Sequence, residues 1–170
     1  TAMKPLCVSF VEQDPQLAEK VLSHLEIAGI EAHHCQHPEA LVAQHSLQAF
    51  DVVVLDADTL GEQGLTLAGQ LAKHPELRVV MISQASEPQD RIAAIAAGAD
   101  VCLTKPFNPT ELIAIIHRLA SRLPRTLKTG WTIDPVRALL TGPANNAIGL
   151  TAMETVLLTQ LAMAPEQALR

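Results

Sequence analysis

Between Pro5 and Arg122, short apolar runs alternate five times with longer amphipathic segments, and this rhythm excludes most folds at once. Leu6 to Val11, Ile30 to Cys35, Val52 to Leu55, Val79 to Ser83 and Val101 to Thr104 are too short for helices. Their β-branched content suits strands buried on both faces of a parallel sheet. Between them, helical periodicity places Leu17, Val21, Leu22 and Leu25 on one face of a segment from Pro15 to about Ala28, which Gly29 stops. Further helices are expected over Pro38 to Leu47, about Gly64 to Lys73, and Arg91 to Ala97, the last ended by Gly98. The final one runs from Pro109 to Arg122, with Leu112, Ile113, Ile116 and Leu119 inward. The expected fold class is α/β, a doubly wound five-stranded parallel sheet of order 2-1-3-4-5.

Composition agrees with a well-filled core, at 48% hydrophobic and 18% charged residues. Aromatic residues are only 2%, with no Tyr, so Ala, Val, Ile and Leu must do the packing. No apolar run approaches a membrane span and no signal-peptide pattern opens the chain. Cys7, Cys35 and Cys102 are an odd number, each within an apolar stretch, and read as buried thiols in a reducing cytoplasm. Residues 1–127 hold nine Lys/Arg against fifteen Asp/Glu, and residues 128–170 three against three. Neither segment has the basic patch that nucleic-acid binding requires.

After Leu123-Pro124-Arg125-Thr126 the rhythm changes. Trp131 to Ile133 and Arg137 to Leu140 read as short strands, with turns at Asp134-Pro135, Gly142-Pro143 and Asn145-Asn146. Thr151 and Glu154 form a capping box that opens a helix carrying Val156, Leu157, Leu161 and Ala164. The expected organisation is a domain over 4–122, a linker over 123–127 and a second, partial domain over 128–170.

The strand ends carry the chemistry. Asp56 ends the third run, where open α/β sheets place their ligands. A carboxylate there that merely ends a strand or caps a helix is the plainer alternative. Glu12-Gln13-Asp14 follows the first run, Ser83 ends the fourth, and Lys105 follows the fifth. In a 2-1-3-4-5 sheet these ends share one mouth. Acids that hold a divalent cation, beside an ammonium and a hydroxyl, suit phosphoryl transfer to an aspartate.

In FVEQDP, DVVVLDADTLGEQG, VVMIS and GADVCLTKPF, the chain resembles the receiver domain of two-component response regulators over residues 4–122. The tail, GWTIDPVRALL and IGLTAMETVLLTQLAMAPEQ, resembles the start of the winged-helix domain of OmpR/PhoB-type regulators. The resemblance implies a transcription regulator and not an enzyme, with Asp56 as phosphoacceptor and Ser83 and Lys105 contacting the phosphoryl group. It implies Mg²⁺ held by Glu12, Gln13, Asp56 and the main-chain carbonyl of Asp58, in a cytoplasmic protein phosphorylated by a sensor histidine kinase. Gln13 replaces a second acid, so Mg²⁺ should bind more weakly. Cys102 stands where an aromatic residue usually does, and Gln84 where a small one does.

The resemblance also implies a homodimer through the fourth helix, fifth strand and fifth helix. Charged positions of that face are here Val101, Ile115 and His117, with Ala93 and Ala96 beside them, which points to apolar pairing. Promoter DNA is expected only for a full-length form, because the recognition helix and wing of such domains follow the helix at Thr151. An atypical regulator, acting independently of phosphorylation through constitutive dimerisation or partner binding, is the alternative function. LDADT also fits the Asp-x-Asp-x-Thr signature of haloacid-dehalogenase-type phosphatases, with Asp56 as nucleophile and Asp58 as general acid. That signature normally lies on the first strand, however, and no downstream acidic pair follows Lys105. His33, His34, Cys35 and His37 alternate sides of one strand and read as a strand edge, not a ligand set.

Overall fold

A computed structural model describes residues 5–39, 41, 50–84, 87–126 and 130–163. The chain divides into a unit spanning Leu6–His117 and a smaller one that includes the residues from Arg118 onward. In the larger unit the elements are β1 (Cys7–Val11), α1 (Pro15–Ile27), β2 (Glu31–Cys35), β3 (Val52–Asp56), α2 (Ala57–Leu60), α3 (Glu62–Leu71), β4 (Arg78–Ser83), α4 (Pro88–Ala97), β5 (Val101–Thr104) and α5 (Pro109–Ala120). The helix expected over Pro38 to Leu47 lies largely outside the described residues.

The five strands form one parallel sheet, as the alternating runs predict, in the order β2-β1-β3-β4-β5 that the receiver resemblance implies. Every residue of β1 and β3 is buried, so both faces of the central strands are covered. One face packs Cys7, Val11, Val53, Leu55 and Met81 with Leu67, Ala68 and Leu71 of α3 and Ala94 of α4. Val8, Phe10, Val54 and Ile82 are buried on the other side by strand alternation. Ala18, Val21 and Leu25 of α1, and Leu112 and Ile116 of α5, are buried outside the first cluster. Ile113 and Leu119, expected inward, are only half-buried.

The chain turns helical directly after Asp56, seven residues earlier than the Gly64 expected from periodicity. Asp56 caps the single turn of α2, and Gly61 at φ 55° separates it from α3. Asp56 is therefore a strand end and a helix cap as well as a site residue.

In the smaller unit, β6 (Arg125–Thr126), β7 (Thr132–Asp134), β8 (Leu139–Thr141) and β9 (Ala147–Gly149) make an antiparallel sheet in chain order. Arg125–Thr126, within the stretch read as a linker, pairs with β7. Helix α6 (Ala152–Met163) starts at the expected capping box. The Thr151 N–H donates to Glu154 Oε2 at 2.8 Å, and the Glu154 N–H to Thr151 Oγ1 at 3.2 Å. Its Val156, Leu157 and Leu161 are exposed, while Thr155 and Ala162 are buried. No helix of the described residues is long and apolar enough to cross a membrane.

Candidate phosphoryl-acceptor site

Parallel register brings four strand ends into one row. Val11 pairs with Leu55, Asp56 with Ile82, and Ser83 with Thr104, which places Glu12, Asp56, Ser83 and Lys105 along the C-terminal edge. Backbone bonds fix the flanking loops. The Glu12 N–H donates to the Cys35 carbonyl at 3.1 Å, and the Lys105 N–H to that of Ser83 at 2.9 Å. The Lys105–Pro106 peptide is cis.

Asp56 is completely buried. Its Oδ1 accepts the Asp58 N–H at 2.9 Å and the Thr59 N–H at 3.4 Å, as a helix cap does. Its Oδ2 meets the Lys105 ammonium. Burial alone would push the Asp56 carboxyl up, but the adjacent Glu12 and the Lys105 ammonium together hold it below the usual range. Lys105 is correspondingly raised: burial opposes its charge, and the contacts with Asp56 and Asp58 outweigh that. Asp56 is thus an ionised carboxylate held beside a cation.

Glu12 is equally buried. Its Oε1 accepts the Asp14 N–H at 2.9 Å, while Oε2 is buried with no hydrogen-bond partner among the described residues. Burial, and then the neighbouring Asp56 carboxyl, push Glu12 up to about 7. An orphaned carboxylate oxygen beside a second acid is the donor set that a hard divalent cation satisfies. The residues present therefore fit Mg²⁺, with Glu12 and Asp56 as its anionic ligands. Gln13 is exposed at the turn after β1, and Asp14 is engaged as the cap of α1 through the Gln16 N–H.

The side chain of Asp58 lies in the same site, a position the sequence reading reserved for its carbonyl. Its carboxylate accepts the Ser83 Oγ–H at 3.1 Å and the Gln84 N–H at 3.0 and 3.2 Å, and lies 3.1 Å from Lys105 Nζ. The Asp-x-Asp-x-Thr pattern, which makes Asp58 a general acid, is the sequence signal that points to its carboxylate. Beside the site runs a groove of about 560 Å³, lined by Leu17, Lys20 and Val21 of α1 with Lys105, Pro106 and Phe107.

The remaining candidates are placed elsewhere. Ala93, Ala96 and His117 are exposed, and Val101 and Ile115 half-buried. Ile92 and Ile95 of α4, which sequence reasoning passed over, are 66% and 50% exposed. Cys102 is half-buried against a cavity of about 280 Å³ that also reaches Met81, Ser83 and Arg91, and burial pushes its thiol up. Of the histidine cluster, His34 bonds the Glu12 carbonyl at 2.7 Å, and the Cys35 thiol donates to the His37 carbonyl at 2.9 Å. His33 pairs instead with Glu31 at 2.9 Å, near Cys7.

Comparison with known proteins agrees with this fold. The family model described as the response regulator receiver domain matches residues 8–117. The transcriptional regulatory protein AruR of Pseudomonas aeruginosa is 29% identical over 168 residues, covering 89% of this chain and 69% of that protein. The transcriptional regulatory protein BaeR of Escherichia coli is 25% identical over 115 residues, covering 68% of this chain but only 48% of that protein. The receiver domain of the Francisella response regulator 1452 superposes with a TM-score of 0.61 at 25% identity, covering 70% of this chain and 98% of that one.

Proposed function

The chain belongs to the response regulator receiver domain family, and from that premise we propose that Asp56 accepts a phosphoryl group from a sensor histidine kinase in the cytoplasm. One observation carries the assignment: a fully buried, ionised Asp56 in contact with the Lys105 ammonium at the C-terminal edge of the sheet. An Asp56 oxygen attacks the phosphorus of a phosphohistidine. The new P–O bond forms as the P–N bond breaks, and the leaving imidazole takes up a proton. Lys105 and Ser83 neutralise and orient the phosphoryl oxygens. Glu12, Asp56, the Asp58 carbonyl and the Gln13 amide would hold Mg²⁺, which would supply further charge neutralisation. The groove along α1 supports the approach of a partner side chain toward Asp56.

The output of this reading is transcriptional, through the winged-helix segment that begins after the receiver, with promoter DNA as the partner of the full-length form. The names of the curated relatives support it. Pairing of two copies through α4, β5 and α5 belongs to the same reading. The test is a Mg²⁺ titration of phosphorylation by acetyl phosphate. Gln13→Asp restores the missing unit of ligand charge and should lower the Mg²⁺ concentration needed for half-maximal phosphorylation. An unchanged requirement would remove position 13 from the metal site.

A further inference from the structure

The Asp58 carboxylate receives three donors from three separate places: the Ser83 hydroxyl at the end of β4, the Gln84 N–H in the next loop, and Lys105 after β5. Lys105 also touches Asp56, so this cradle opens directly onto the proposed acceptor. We propose that Asp58 is an internal stand-in for the phosphoryl group, filling its binding cradle until transfer displaces it. The proposal rests on the assignment of Asp56 as acceptor and adds a residue that governs it.

Donor arithmetic forces the competition. A hydroxyl and a backbone N–H each donate one hydrogen, and both are given to Asp58. A phosphoryl group on Asp56 would bring three acceptor oxygens and about −1.5 to −2 of charge beside the Asp58 carboxylate. With Asp58 in place the Ser83 hydroxyl and the Gln84 N–H are already committed, and the Asp58 carboxylate adds like-charge repulsion. The Asp58 side chain is 33% exposed against 1% for Asp56, so it has a route into water that Asp56 lacks. Asp58 therefore preorganises Ser83, Gln84 and Lys105 around an anion, and it must rotate outward for the phosphoryl group to enter. The same contacts that shape the cradle slow its filling.

The experiment compares wild type, Asp58→Ala and Asp58→Asn, each of which keeps the main-chain carbonyl at position 58. The first readout is the backbone amide resonance of Gln84 without any phosphodonor. The second is the rate of adduct formation with acetyl phosphate and Mg²⁺, followed by intact mass. Loss of charge-assisted hydrogen bonds in Asp58→Ala should shift the Gln84 amide and raise the rate roughly tenfold or more. Asp58→Asn keeps the side-chain volume and should fall between. An unmoved Gln84 amide overturns the stand-in, and a wild-type rate equal to that of Asp58→Ala overturns the gate. A moved amide with no adduct in any of the three proteins refutes Asp56 as acceptor and the stand-in with it, whereas a moved amide with adducts forming at one rate in all three refutes the gate alone.

Discussion

At the scale of single residues, Glu12 is a buried carboxyl whose charge both burial and the neighbouring Asp56 oppose. Its folded value near 7 lies above its usual 4.5, so the folded protein binds a proton that the unfolded chain releases. The resulting stability is fully present below about pH 4.5 and is lost as the pH rises through 7. Glu12→Gln removes the ionisable group. In EDTA at pH 8 the variant should be more stable than wild type by about 2 kcal/mol, the gap shrinking toward pH 5. Urea denaturation at both pH values measures this, and a gap independent of pH would contradict it. Mg²⁺ at pH 8 should recover the difference by stabilising wild type selectively. Glu12, Asp56, Ser83 and Lys105 were legible from sequence because each terminates or follows an apolar run, and parallel topology converts run ends into one edge. The Asp58 carboxylate was legible only through the Asp-x-Asp-x-Thr pattern, since its direction depends on a one-turn helix that periodicity cannot register.

Among the elements, α3 and α4 meet where Gly98 ends α4. At φ 132° it lies where side chains rarely do, and an added Cβ would come within 2.7 Å of Ala72 Cβ and 2.9 Å of the Ala68 carbonyl oxygen. Gly98→Ala should cost about 2–4 kcal/mol in urea denaturation. A loss below about 1 kcal/mol would mean that the two helices slide apart freely. The outer face of α4 makes the opposite argument. Ile92 and Ile95 are exposed there, with half-buried Val101 on β5 and Ile115 on α5. Burying an exposed Ile contributes about 1.5–3 kcal/mol, and residues already half-covered contribute less. A homodimer on this face should persist from low to high salt, because exposed ion pairs are not what holds it. Sedimentation of wild type, Ile92→Glu and Ile115→Arg checks this. A wild type that stays monomeric, or dimers that neither variant disrupts, would remove the face from the account. The central strands β1, β3 and β4 were legible as continuous buried runs, whereas the edge strands β2 and β5, in which only Cys35 and Leu103 are buried, were legible from their place in the strand–helix alternation. The two-residue β6 and the three-residue β9 are too short to leave a periodic signal, and pairing alone defines them.

For the molecule as a whole, the order β2-β1-β3-β4-β5 explains why distant residues form one site. The first, third, fourth and fifth strands are neighbours, so Glu12 and Lys105, ninety-three positions apart in sequence, both reach Asp56. Asp56 on the third strand in chain order, with a βα pair and a further strand preceding it, also differs from the first-strand placement of the phosphatase signature. Receiver architecture therefore accounts for the acid, the ammonium and the hydroxyl together. The most direct measurement is the position of the adduct after incubation with acetyl phosphate and Mg²⁺, read by intact mass and peptide mapping. The account predicts one added phosphoryl group, on Asp56, absent from Asp56→Asn and from protein kept in EDTA. An adduct on another residue, or none in either wild type or Asp58→Ala, would contradict it.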